Sequence, residues 1–146
     1  MSDDAFERQI DLVNVALHRI YFEARQPEGL PEALRQVSFQ DMHVLSVAAE
    51  HPDAILRDIR DYMQLPQSTL TSIVNKLEKL GLVRRVINRR DLRSYSLELT
   101  DEGHALREQH RRWDRAQVRR MLENLAIGER QQFADLLWKA IAPIKL

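Results

Sequence analysis

Residues 65–100, LPQSTLTSIVNKLEKLGLVRRVINRRDLRSYSLELT, decide how this chain folds. Leu70, Ile73, Val74, Leu77 and Leu80 recur at three- and four-residue steps, which predicts one buried face of a helix about four turns long. The opposite face carries Gln67, Ser68, Thr69, Thr71, Ser72, Asn75 and Lys76. An ordinary surface helix fills that face with Glu, Lys and Arg. Short hydroxyl and amide side chains can instead reach base edges in a groove about 12 Å wide, so the composition suits a helix laid into DNA. Gly81 is the stop, placed where a left-handed residue just past the helix end would strain any side chain. The period then changes from 3.6 to 2. Tyr95, Leu97 and Leu99 alternate with Ser94, Ser96 and Glu98, so Arg93 to Leu99 reads as a half-buried strand. Its partner is Leu82 to Ile87, whose facing the pattern leaves open. Asn88, Arg89, Arg90, Asp91 and Leu92 form the tip of a basic hairpin between them.

A helix of small polar residues followed by a hairpin with an arginine-rich tip is a winged helix-turn-helix, mainly α with a small β-wing. The sequence here resembles the multiple antibiotic resistance regulators, the MarR family. DLRSYSLELTDEG resembles their wing signature, and STLTSIVNKLEKLGLVRR their recognition helix and its exit. The resemblance covers nearly the whole chain and is fairly specific, because few winged helices share an Asp-x-Arg-Ser wing running into Leu-Thr-x-x-Gly. It implies a homodimer whose chain ends intertwine at the base with the wings splayed outward. Residues 1–36 and 101–146 would be the dimerisation helices and 37–100 the DNA-binding lobe of one domain.

At 146 residues the chain fits one domain with helical extensions and can bury a real core. There is no cysteine, which removes structural disulfides and the thiol switch by which some members of the resembled family sense oxidants. No apolar run approaches the roughly 18 residues of a membrane span, and the acidic start MSDDAFERQ lacks the profile of a signal peptide, so a cytoplasmic protein is expected. The net charge of zero hides a segregated layout. Residues 1–65 carry 6 Lys/Arg against 12 Asp/Glu (net −6), residues 66–100 carry 7 against 3 (net +4), and residues 101–146 carry 9 against 7 (net +2). Basic charge collects on the helix and hairpin, the electrostatic footprint of a DNA face.

Elsewhere, Phe6, Ile10, Val13, Leu17 and Tyr21 form the stripe of an amphipathic first helix, and Pro27, Gly29 and Pro31 break it. Ser38 can cap a second helix with Phe39, Met42, Leu45 and Ala49 as its buried face. Asp53 to Ile55 is placed to add one strand to the wing sheet, and Leu56 to Met63 makes a brief third helix with Ile59 and Met63 inward. Two positions depart from the resembled family, which has Gly where Gln64 stands and a hydroxyl N-cap where Pro66 stands. A Gln forced left-handed costs on the order of 1 kcal/mol, so either the turn differs or the penalty is tolerated. Thr100 can cap a long polar helix running to about Asn124, with Asp101 and Glu102 favourable in its first turn. A last helix carries Phe133, Leu136, Leu137, Ala140 and Ile141 on one side and closes at Pro143. The end helices have more apolar surface than one small winged helix can cover, which points to a two-fold dimer.

Such a dimer sets two recognition helices in successive major grooves about 34 Å apart, on an inverted repeat. Gln67 and Asn75 can each contact adenine bidentately, and the methyls of Thr69 and Thr71 suit thymine. Ser68 and Ser72 suit phosphate or water-mediated contacts. Family members often carry arginine at the position of Ser72, and its absence predicts an A·T-leaning site. Read as a strand, Asp91 and Arg93 share one face, so Asp91 can hold an arginine extended into a narrow minor groove. The resemblance implies that Arg93 is inserted and Asp91 positions it, with Arg89 and Arg90 on phosphate, although either of those could be the inserted residue instead.

A small aromatic or anionic effector is a further expected partner, with His18, Tyr21, Phe22, Met42 and Trp113 as its candidate pocket. The five histidines include no pair at i, i+4 spacing and no Cys joins them, so neither a metal nor another cofactor is expected. No phosphate loop, nucleophile elbow or paired-carboxylate arrangement suggests an enzyme. The reading is a DNA-binding regulator, a repressor by preference. Its rivals are a winged-helix protein-interaction module and a metal-responsive regulator.

Overall fold

The computed structural model describes the backbone of residues 3–25 and 30–142 and, within the first helix, the side chains of residues 5–20. The expected breakers Pro27 and Gly29, and the expected closing Pro143, lie outside the described residues. By contact the chain divides into two compact units, Met1–Arg35 and Gln36–Leu146.

The first unit holds α1 (Asp3–Arg25) and α2 (Glu32–Arg35). The stripe expected on α1 is present but uncovered, with Phe6, Ile10, Val13 and Leu17 all exposed. The one-turn α2, with Glu32 and Arg35 paired at 3.2 Å, carries too short a pattern to be read from sequence.

The second unit runs α3 (Phe39–Glu50), α4 (Leu56–Tyr62), α5 (Gln67–Lys79), β1 (Val83–Ile87), β2 (Tyr95–Leu99), α6 (Asp101–Glu123) and α7 (Ile127–Ile141). Ser38 caps α3 reciprocally: its hydroxyl accepts from Asp41 N at 3.2 Å, and the Asp41 carboxylate accepts from Ser38 N at 2.7 Å. The buried set on α3 is Asp41, Met42, Val44, Leu45, Val47 and Ala48, spread over more than one face. This corrects the single stripe expected there. Phe39 is exposed, its ring edge-on to His43 at 6.1 Å, and α3 is the central helix of the unit, packed against α4, α5, α6 and β2. Leu70, Ile73, Val74 and Leu77 of α5 close on it, all less than a tenth exposed, with Ile59 of α4.

β1 and β2 pair antiparallel from Val83↔Leu99 to Ile87↔Tyr95, and in place of the strand expected from the connector Ile55 makes only an isolated bridge to Ser96, so the sheet stays two-stranded. The sheet departs from the alternation read from sequence. Ser96 is buried and Tyr95 exposed, because the bridge at Ile55 and the side chain of Asn88 cover the face that carries Ser96. The strand also starts at Tyr95, leaving Asp91 and Arg93 in the turn.

Backbone constraints fix how helix, hairpin and α6 join. Gly81 ends α5 at φ 70°. The Thr100 hydroxyl donates to the Gly81 carbonyl at 2.6 Å and accepts from Gly103 N at 3.0 Å, capping α6 as expected. Gly103 faces Leu82 so closely that a Cβ would sit 2.1 Å from the Leu82 carbonyl oxygen. The Leu-Thr-x-x-Gly run is therefore a packing requirement. Gln64 takes the left-handed conformation at φ 51°, so the turn keeps its geometry and the penalty is tolerated.

Two stability measurements check these points. Gly103→Ala forces a backbone carbonyl to move and is expected to lower unfolding free energy by about 2 to 3 kcal/mol in urea titration; an unchanged midpoint contradicts the contact. Gln64→Gly relieves about 1 to 2 kcal/mol of left-handed strain against about 0.5 to 1 kcal/mol that glycine costs in unfolded-chain entropy, so stability should rise by about 0.5 to 1 kcal/mol; destabilisation would show the strain is absent.

Candidate nucleic-acid interface

The buried stripe of α5 turns Gln67, Ser68, Thr71, Ser72, Asn75 and Lys76 outward as exposed residues, with Thr69 half-buried at the edge. At its N-terminus Pro66, at φ −59° and ψ 146°, directs the chain into the helix without a side-chain cap. The missing hydroxyl cap leaves first-turn N–H groups open to an anion at the positive end of the helix dipole.

Hydrogen bonds divide these side chains into free and engaged. The Thr71 hydroxyl donates to the Gln67 carbonyl at 2.8 Å. Gln67 Oε1 accepts from the Arg60 guanidinium at 3.2 Å, and Asn75 Oδ1 from the Arg85 guanidinium at 2.7 Å. Lys76, read from sequence as part of the outer face, directs its ammonium to the buried Asp41 carboxylate at 2.5 Å and ties α5 to the start of α3. The pairing spans 35 residues, and nothing local in the sequence marks it.

The hairpin tip is organised by Asn88, which is 3% exposed. Its amide N–H2 donates to the Ser96 hydroxyl at 2.7 Å and to the Asp53 carbonyl at 2.8 Å, and its Oδ1 accepts from Arg90 N and Asp91 N, each at 2.8 Å. The sequence signal for this was Asn followed by three polar residues, the pattern of an Asx turn. Arg90 is tethered to Asp53 at 2.8 Å. Asp91 differs from the expected role. Its carboxylate accepts from the Ser94 hydroxyl at 2.6 Å and from Arg93 N at 3.1 Å, so it fixes the turn and leaves the Arg93 guanidinium free of it. Arg89 and Arg93 are exposed, and no side-chain hydrogen bond or ion pair among the described residues engages either guanidinium.

The candidate effector residues come from both units. His18 is exposed on α1, its Nδ1 bonded to the Asn14 carbonyl at 2.9 Å, and Met42 lies in the core of the second unit. Trp113 is half-buried, with its indole N–H shielded and unpartnered among the described residues. The side chains of Tyr21 and Phe22 lie outside those described. Among the described residues no group of three or more His, Asp or Glu is placed to hold a metal ion, and no helix is long and apolar enough to cross a membrane.

An uncapped helix with a small polar outer face, followed by a two-stranded wing, defines a winged helix-turn-helix. Residues 35–94 match the family model described as MarR family. The chain is 30% identical to the YusO protein of Bacillus subtilis, whose crystal structure it matches with a TM-score of 0.75 over 99% of this chain and 100% of that one. The HTH-type transcriptional repressor MdtR of Bacillus subtilis (strain 168) is 32% identical over 83 residues, 56% of this chain and 54% of that protein, so the match spans about half that repressor's length. The S. aureus MepR–DNA complex shares the fold, with a TM-score of 0.67 at 21% identity over 92% of this chain and 98% of that one. The chain belongs to the MarR family.

The Ser94 hydroxyl first and then the Arg93 N–H hold the Asp91 carboxyl below its ordinary value against desolvation, with the Arg57 charge adding least. A folded pKa below the unfolded one means the turn's contribution is complete above the unfolded value and is lost as pH falls through the folded one. In a carboxyl-carbon NMR titration the Asp91 midpoint should lie below that of a free aspartate and rise in Ser94→Ala. An ordinary midpoint, unmoved by the substitution, contradicts the contact.

Proposed function

We propose that the protein is a homodimeric transcriptional regulator, acting as a repressor, that binds a palindromic A·T-leaning operator. The observation that carries this reading is the pairing, on one lobe, of the uncapped amide- and hydroxyl-bearing face of α5 with a wing whose Arg89 and Arg93 guanidinium groups have no partner among the described residues. The charge layout supports it, since residues 66–100 hold 7 basic against 3 acidic side chains. MdtR, similar over 83 residues, is named a transcriptional repressor, and MepR and Streptococcus pneumoniae FabT have been solved with DNA. A protein with this task works in the cytoplasm, where the DNA is.

In this reading Gln67, Thr69, Thr71 and Asn75 meet base edges in the major groove, with Ser68 and Ser72 on phosphate or water. Lys76 contributes positive potential from its place beside Asp41. Arg93 enters the minor groove, where a narrow A·T tract concentrates negative potential, and Arg89 lies on the flanking phosphates. Asp91 acts through the shape of the turn it closes. Arg90, tethered to Asp53, adds charge.

A second copy completes the site. α1 exposes Phe6, Leu12, Val13 and Val15, and α7 exposes Leu136, Leu137 and Trp138. Apolar faces this large mark association surfaces. Pairing sets the two α5 helices on successive turns of one duplex. A small aromatic or anionic effector, read at the Trp113 indole N–H, which has no hydrogen-bond partner among the described residues, would release the operator by favouring a spacing of the lobes that does not fit it.

A salt titration of binding to operator-bearing duplex tests the reading. Neutralised phosphates make the logarithm of affinity fall steeply and linearly with the logarithm of salt. Arg93→Ala should weaken binding about tenfold and lower the slope by roughly one per copy, with the circular dichroism melt unchanged. Affinity indifferent to salt and to Arg93→Ala would contradict the reading.

A further inference from the structure

The amide of Asn75 is not free to choose its orientation. Arg85, on β1, donates through one terminal nitrogen to Glu78 Oε2 at 2.6 Å and through the other to Asn75 Oδ1 at 2.7 Å, while its backbone N–H donates to Glu78 Oε1 at 3.2 Å. A guanidinium has five N–H donors and no acceptor, so the amide atom facing it is the oxygen. Asn75 is exposed, and what remains for a partner is its N–H2 group.

We infer that Arg85 is a positioning residue for base selection: by holding Oδ1 of Asn75 toward β1, it makes the recognition helix present two N–H donors and no acceptor at this point, which selects guanine. The inference rests on the DNA-binding reading and sharpens it. Adenine shows the major groove one acceptor, N7, beside one donor, the N6 amino group, and its bidentate contact requires the amide to offer both a donor and an acceptor. With the oxygen engaged by a cation, the adenine amino group meets N–H against N–H. Guanine shows N7 and O6, adjacent acceptors that one N–H2 group can reach together. Thymine offers a single acceptor, and cytosine an amino donor that is repelled. Gln67 is held in the same sense at the other end of the helix, its Oε1 accepting from Arg60, itself steadied by Asp61 at 2.6 Å. The two amides expected to read adenine are thus both turned toward acceptors, within a site whose remaining contacts favour A·T.

Selection of bound sequences from a random duplex pool, with the full-length protein and two variants, tests this. The wild type should return an inverted repeat with guanine favoured over adenine roughly tenfold at the position Asn75 faces in each half-site. Asn75→Asp keeps an oxygen for Arg85 but carries no N–H, and should replace guanine there with cytosine or adenine, the bases with an exposed amino group. Arg85→Met frees the amide to rotate and should bring adenine to at least parity with guanine, the other positions unchanged. Guanine retained in both variants overturns the inference. Should Arg85→Met fail to fold by circular dichroism, Asn75→Asp decides, since its side chain is exposed and isosteric. A wild type that selects no sequence at low salt sinks the DNA reading itself, a failure told apart because it does not depend on either variant.

Discussion

The Leu82 carbonyl, wedged against Gly103 with no room for a methyl group, is the contact on which the geometry of the lobe turns. The same oxygen accepts from Thr100 N at 3.1 Å, and the Thr100 hydroxyl reaches Gly81 and Gly103 on either side. Four positions thereby join the end of α5, the root of both hairpin strands and the first turn of α6. A helix and a hairpin linked only by a loop would swing independently. Stitched at this point, they hold a fixed angle, which recognition of two adjacent grooves requires.

Polar contacts away from that junction stiffen the same parts. Asp41 is buried and satisfied, accepting from Ser38 N and from Lys76, so a charge that would be costly alone instead docks α5 on α3. Asn88 does for the hairpin what Asp41 does for the helix: all its bonds run to the turn, to Ser96 and to the connector at Asp53. These networks place the outward-facing residues and sort them. Amides are held by arginines, one lysine is drawn inward, one wing arginine is tethered, and Arg89 and Arg93 are left open.

Much of this was legible in local sequence because its causes are local. The stripe from Leu70 to Leu77, the stop at Gly81 and the cap at Thr100 each depend on neighbours within about a turn, and each stands where the pattern puts it. What the pattern missed depends on residues distant in sequence. Phe39 fits a helical stripe, yet α3 is packed from several sides, and a periodicity argument that assumes one buried face picks the wrong members. Ser96 looks like a solvent-facing strand residue until Ile55 and Asn88 cover it. The partners of Asn75 and Lys76 come from β1 and α3, 10 and 35 residues away, so their engagement leaves no trace in their own helix. Asp91 and Arg93 read as strand neighbours because the alternation starts early, whereas the turn extends to Ser94.

The uncovered faces of α1 and α7 and the open cations of the wing are two aspects of one proposal, since a lobe with a single helix and wing reads too little sequence for an operator. Hydroxyl-radical footprinting of the selected duplex tests that most directly, because it maps backbone contact at each nucleotide. The account predicts two protected tracts related by two-fold symmetry and centred about one helical turn apart, each flanked by a protected minor groove. A single unpaired tract, or uniform cleavage at saturating protein, would contradict it.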